Sequence, residues 1–239
     1  MIFVINKYIF VVYIKETMAK WYHSILPPGT WLYQKVWDFY FYKIKDVRGK
    51  LRTQIQTNQP LNVILGAGAD SYEGWIATDY PFFDITSAAH WEYFFGNKLA
   101  DKFLSEHVLE HITYKQVEDS LALCSRYLKP GGTYRIAVPD AFNTDMDYVE
   151  WSKPGIISDD HKIFWDHGSL CKVIERHGFR VELLEYFTYD GVFHSKEYTY
   201  ENGYIRRSKS KGFLYTAKKD GKDIVLPAFT SLIIDAYKL

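Results

Sequence analysis

Charge of one sign is missing from this chain. Its 29 basic and 29 acidic side chains cancel, so no global field draws it to nucleic acid or to a membrane surface. Cysteine is nearly absent too. Cys124 and Cys171 fall in helix-like segments with no metal-ligand spacing, so they read as reduced core thiols of a cytoplasmic protein, and no metal is expected. No stretch approaches the ~18 apolar residues a membrane span needs. The nearest, Met1–Ile14, is interrupted by Asn6 and Lys7. It has neither a basic leader nor a small-residue cleavage site, which argues against a secretory signal. Three readings stay open for it: an extra strand, a peripheral anchor, or translation from a start upstream of Met18.

What is present is a large apolar content. Hydrophobic residues make up 47% of 239, enough for a sizeable core and against global disorder, and the length favours one domain with insertions over two. Aromatics reach 18%, which we attribute mainly to the codon bias of an AT-rich genome. Residues 1–50 form an aromatic and basic extension, with a helix expected from about Thr30 to Arg48 by the spacing of Trp31, Trp37, Phe41 and Lys45. Residues 51–239 form the main domain, beginning with a polar linker over Leu51–Pro60 and carrying an insertion at about 188–228.

The main domain is organised around one stretch. The apolar run Leu61–Leu65 ends in Gly66-Ala67-Gly68, and a second short run, Trp75–Thr78, ends in Asp79. Strand, glycine turn, strand, carboxylate is the order found where an open parallel sheet binds a nucleotide-type cofactor. The glycines admit close backbone approach, and an acid at the next strand tip can accept from both ribose hydroxyls. A tight turn with no ligand fits the same residues. Only Ala69–Gly74 separates turn from strand, so the first crossover is an abbreviated loop rather than the usual helix. An NAD fingerprint wants a third glycine and a later acid, and both are lacking.

Strands and helices then alternate. Pro81–Ile85 reads as a short strand, Ser87–Asn97 as a helix, Asp101–Ser105 as a strand, and Thr113 with Gln116 as a capping box opening a helix with Val117, Leu121, Cys124 and Leu128 on one side. Lys129-Pro130-Gly131-Gly132 stops that helix, and Thr133–Val138 is a strand ending in Pro139-Asp140. A helix near Ser169–His177 ends at Gly178, and strands follow at Arg180–Phe187 and Ser231–Ala236. This predicts an α/β fold with a mostly parallel sheet whose final strand is antiparallel.

Three segments in order carry a resemblance: the glycine turn with Asp79, SEHVLEHI at Ser105–Ile112, and LKPGGTYRIAVPD at Leu128–Asp140. Together they resemble the class I S-adenosylmethionine-dependent methyltransferases, in particular small members whose cofactor loop runs directly into a Gly-Trp-Ile stretch. The likeness continues to the C-terminus and leaves Met1–Lys50 uncovered. It implies a Rossmann-like sheet of seven strands, the last antiparallel, and S-adenosyl-L-methionine as cofactor. Carried over by position, Gly66, Ala67 and Gly68 would line the methionine end, Asp79 would hold the ribose, and Asp84 would lie near the adenine. Ser105, Glu106 and His107 would border the methionine moiety and the substrate mouth.

Methyl transfer from a sulfonium needs alignment and, for a hydroxyl acceptor, removal of a proton. Histidine is the natural base. The candidates are His107, His161 and Asp140, with the Asp166-His167 pair behind them; each also has a structural role open to it, in a turn or an ion pair. Glu110 and His111 read as capping the turn after the fourth strand. The basic run Arg206–Lys211, with Lys218, Lys219 and Lys222, reads as a solvated loop or as a site for a phosphate or acidic sugar. No basic stripe with stacking aromatics is present, nor the Asn/Asp-Pro-Pro-aromatic tetrad of amino-directed nucleic-acid enzymes, so a small molecule or sugar is the expected acceptor. The alternatives are a methyltransferase fold serving as an inactive interaction module and, third, a nicotinamide-dependent oxidoreductase.

Overall fold

The computed structural model describes residues 31–155, 160–212, 215–219, 222–226 and 230–239, with backbone alone for 31–43, 215–219 and 222–226. The expectations for Met1–Ile14, and for the side chains of Trp31, Trp37, Phe41, Lys218, Lys219 and Lys222, lie outside the described residues.

Period-two alternation in the first strand sets the plan. In β1 (Asn62–Leu65), Val63 and Leu65 enter one apolar cluster and Ile64 enters another on the opposite face. Around β1 are β2 (Ile76–Thr78), β3 (Ala100–Glu106), β4 (Leu128–Pro139), β5 (Phe179–Phe187) and β6 (Phe193–Ser195). A separate hairpin pairs β7 (Tyr215–Lys219) with β8 (Lys222–Leu226), and β9 (Ser231–Lys238) closes the chain. The main sheet runs β2-β1-β3-β4-β9-β5-β6. β1 pairs in parallel with β2 and β3, and β3 with β4, whereas β9 is antiparallel to both β4 and β5. The mostly parallel α/β sheet with a reversed final strand is therefore as expected.

The helices α1 (Trp31–Thr57), α2 (Ala88–Phe95), α3 (Tyr114–Tyr127) and α5 (His167–Glu175) pack on a single face; α4 (Met146–Ser152) lies between β4 and α5 in the chain. Leu51 and Ile55 of α1, Trp91, Phe94 and Phe95 of α2, Leu121 of α3 and Val173 of α5 share one cluster with Val63, Phe103, Ile136 and Ile234 of the sheet. Trp91 is fully buried, stacks on Phe95 and Tyr127 at 5.0 and 5.3 Å, and donates its Nε1 hydrogen to the Ile85 carbonyl. Helix α3 starts on the expected capping box of Thr113 and Gln116.

Among the described residues the opposite face carries no α-helix, and the link from β1 to β2 is too short to form one. That link instead lays Tyr72 and Trp75 against Ile64, Leu104, Ala137 and Ile233. The rest of the cover comes from a strap, residues 196–212, whose Tyr198 and Ile205 join the same cluster. Polar side chains hold it down. Arg135 of β4, 1% exposed, forks onto Asp235 directly opposite on β9, with both N···O distances 2.7 Å, and donates to the carbonyls of Thr199 and Gly203. Glu185 of β5 is fully buried and accepts from Tyr198, Ser208, Ser210 and the backbone of Lys209.

Two local expectations need correction. Leu51–Thr57 is the last part of α1 rather than a linker, because Leu51 and Ile55 lie one turn apart and both bury. The helix thus runs through the boundary drawn at residue 50. Pro81–Ile85 is a turn rather than a strand, since the backbone N–H groups of Phe82 and Phe83 both donate to the Asp79 carbonyl and curl the chain under α2.

Candidate functional site

β1 is flanked by β2 on one side and β3 on the other, so the chain reverses its direction of strand addition at β1. In an open α/β sheet the crevice beyond the carboxyl ends of strands at such a switch point is where ligands bind. Gly66 and Gly68 stand there with φ of +71° and +54°. A Cβ on Gly66 would come within 2.6 Å of Val108, whereas one on Gly68 would meet nothing within 4 Å. Gly66 therefore allows the turn to close against the β3 edge, and Gly68 leaves open space beside it.

Asp79 follows β2 and faces this turn. Burial raises its pKa, and the backbone N–H groups of Tyr80 and Gly68 pull it back. Asp84 is committed to an Asx turn, its Oδ1 accepting from the backbone and hydroxyl of Thr86 at 2.9 and 2.8 Å. Ser105 is 1% exposed, and its Oγ lies 2.9 Å from the Tyr134 hydroxyl in the helix-side core. Glu106 accepts the backbone N–H groups of Arg206 and Arg207, both at 2.9 Å, and Arg206 reaches on to Asp70 of the glycine loop at 2.7 Å. The basic run is thus partly a clasp, joining the strap to β3 and to the glycine loop.

His107 follows β3 directly with φ +56°, the single positive-φ residue other than glycine among the described residues. Such a conformation costs about 1–3 kcal/mol and persists where its surroundings impose it. Its Nε2 lies 3.0 Å from Ser231 Oγ and its Nδ1 3.2 Å from Glu110 Oε1. Burial, reinforced by the Arg207 charge, holds its pKa well below the usual imidazole value, so the ring is neutral. Asp140, fully buried, accepts from the backbone of Phe142 and Phe187 and so ties β4 to β5; burial raises its pKa and those two bonds lower it. Asp166 caps α5, and His167 Nδ1 lies 3.2 Å from the Phe187 carbonyl.

Beside His107 the fold assembles a group the sequence does not advertise. Glu110, His111 and His161 bring one donor atom each to within 4.8 Å of the others. Glu110 is fully buried, its Oε1 is approached by His107 Nδ1 while its Oε2 has no hydrogen-bond partner, and burial pushes its pKa up to about 7. His161 comes from the segment before α5, distant in sequence, which is why spacing alone did not pair it with Glu110. His107 belongs to this neighbourhood and to the crevice. A separate cleft of about 540 Å³ is lined by Arg52, Gln56 and Lys98. It opens near the amino ends of β1 and β3, away from the switch-point edge.

No family model and no curated protein matches the chain. Solved structures do. A SAM-dependent methyltransferase from Archaeoglobus fulgidus matches over 61% of this chain and 73% of its own, at 18% identity and TM-score 0.41. Magnesium protoporphyrin IX methyltransferase from Synechocystis PCC 6803, solved with bound SAM, matches over 97% and 96%, at 9% identity and TM-score 0.39. An O-methyltransferase family protein from Burkholderia thailandensis matches over 63% and 55%, at 11% and 0.39. At such identities none of them assigns an acceptor to this chain.

Proposed function

We propose that the chain is an S-adenosylmethionine-dependent methyltransferase acting on a small molecule or a sugar. The observation that carries this is the convergence of Gly66, Gly68, Asp79 and His107 on the switch-point crevice of the sheet. The residues fit the cofactor: Gly68 presents bare backbone to open space, and Asp79 supplies a half-buried carboxylate for a ribose. Gly66, Ala67 and Gly68 would bound the methionine end. When bound, the cofactor supplies a methyl group already activated for transfer.

The chain's own work is then alignment and proton handling. His107, neutral and held between Ser231 and Glu110, is the base we assign to the acceptor proton. Glu106 positions the strap over the β3 edge, and Asp140 fixes the β4–β5 corner behind it. Asp84 acts through the turn it braces, and Ser105 through its bond to the Tyr134 hydroxyl in the core.

Calorimetric titration of S-adenosylhomocysteine into the protein and its Asp79→Ala variant tests this. Loss of a charged acceptor for the ribose should weaken binding about 10- to 100-fold, as hydrogen bonds to charged groups contribute about 1.5–3 kcal/mol. Equal binding by both proteins would remove Asp79 from the site. Absence of binding by either would favour the interaction module, for which the helix-free first crossover speaks.

A further inference from the structure

We propose that Glu110, His111 and His161 form a site for a divalent transition-metal ion of the zinc class. Their donor atoms lie within 4.8 Å of one another. Donors around one tetrahedral ion at zinc-ligand lengths stand about 3.4 Å apart, so closure of roughly an ångström completes the set. Two imidazoles and a carboxylate are a donor set that suits zinc and its neighbours, and three protein ligands leave a position for water or another oxygen ligand.

The hydrogen bonds around the histidines select their ligating atoms. His161 Nδ1 lies 2.9 Å from the Ser152 carbonyl, and a carbonyl only accepts, so Nδ1 carries the hydrogen and Nε2 keeps its lone pair. His111 Nδ1 lies 3.0 Å from an Asp160 carboxylate oxygen, which fixes the same tautomer and turns Nε2 toward Glu110 Oε1 at 3.9 Å. Both rings thus have the outer carbonyl or carboxylate partner that metal-bound histidines use. Glu110 is the independent observation: a fully buried carboxylate whose Oε1 meets only imidazole nitrogens, His107 Nδ1 at 3.2 Å and His111 Nε2 at 3.9 Å, and whose Oε2 has no hydrogen-bond partner. A buried carboxylate this sparsely paired is costly, and a cation would offset that cost. Glu110 is buried and His161 nearly so, while His111 is about one-third exposed, so an ion enters from the His111 side.

The full chain, stripped with chelator and dialysed, is titrated with Zn²⁺, and with Co²⁺ as a coloured probe of coordination. One ion per chain is expected, with visible Co²⁺ bands of low-coordinate type. Glu110→Gln preserves shape and His111→Ala lies at the surface, so both should fold, as checked by circular dichroism, and each should weaken binding more than 100-fold. Asp160→Asn should weaken it about 10- to 100-fold, as loss of an outer partner does. His177→Ala should change nothing. Absence of saturable binding by the wild-type chain, or unchanged affinity in both Glu110→Gln and His111→Ala, would overturn the proposal.

Discussion

One face of the sheet is closed by helices and aromatic rings, the other by a strap held on carboxylates. On the helix side Trp91, Phe95, Phe103 and Tyr127 interlock with ring centroids 5.0–6.1 Å apart and depend on volume. On the strap side Arg135–Asp235 and Glu185 do the holding and depend on pairing. The difference traces to the short link between β1 and β2. Without a crossover helix there, the second face needed another cover, and the segment after β5 supplies it. The same short link keeps the glycine turn beside β3 and the strap, so cofactor edge and cover are joined through Asp70, Arg206 and Glu106.

The sharpest way to break this comparison is to remove one partner on the polar face. Arg135→Met leaves the Asp235 charge buried with the Asn202 amide still donating to it but no cation beside it, and should cost about 3–5 kcal/mol in urea unfolding. The double change Arg135→Met with Asp235→Leu should cost clearly less than the single one; an equal or larger loss would mean that packing, not pairing, holds the strap. Trp91→Ala, on the dry face, should also cost about 3–5 kcal/mol, with no second change that restores it. Glu185→Gln should cost about 1–3 kcal/mol. Its distinguishing mark is local: hydrogen exchange should accelerate at the amides of Lys209 and Ser210 and stay unchanged in α3.

The smallest effect concerns pH. Burial works to raise the Asp101 pKa, but Lys129 at 2.6 Å and the Leu61 N–H outweigh it, and the net shift is downward. A folded pKa below the unfolded one gives stability that is complete above the unfolded value and lost as pH falls through the folded value. Stability should therefore decline below about pH 4. Asp101→Asn should flatten that decline, and a slope unchanged in the variant would remove this pair from the account.

Much of this architecture is legible in sequence because local rules and the fold agree. The apolar runs of β1, β4 and β9, the Thr113–Gln116 capping box, and the glycine turn followed by Asp79 each announce themselves within a few residues. Pro81–Ile85 has strand composition, yet the Asp79 carbonyl captures two of its N–H groups. Arg135 sits inside the apolar run of β4, where nothing local shows that Asp235 will stand opposite. Likewise the strap reads as a solvated basic loop because Glu106 and Glu185, which bind its backbone, lie far upstream or across the sheet. Glu110, His111 and His161 escape for the same reason: only the fold brings the segment before α5 against the turn after β3.

The most direct test of the central claim is thermal unfolding with S-adenosylhomocysteine, and with NAD as control. Ligand at about 100 times its Kd adds about 2.7 kcal/mol to the folded state, which for a chain of this size raises Tm by roughly 5–10 °C. The account predicts that rise with S-adenosylhomocysteine and none with NAD. No rise with the former, or a rise with NAD alone, would contradict the assignment of the glycine turn and Asp79 to this cofactor.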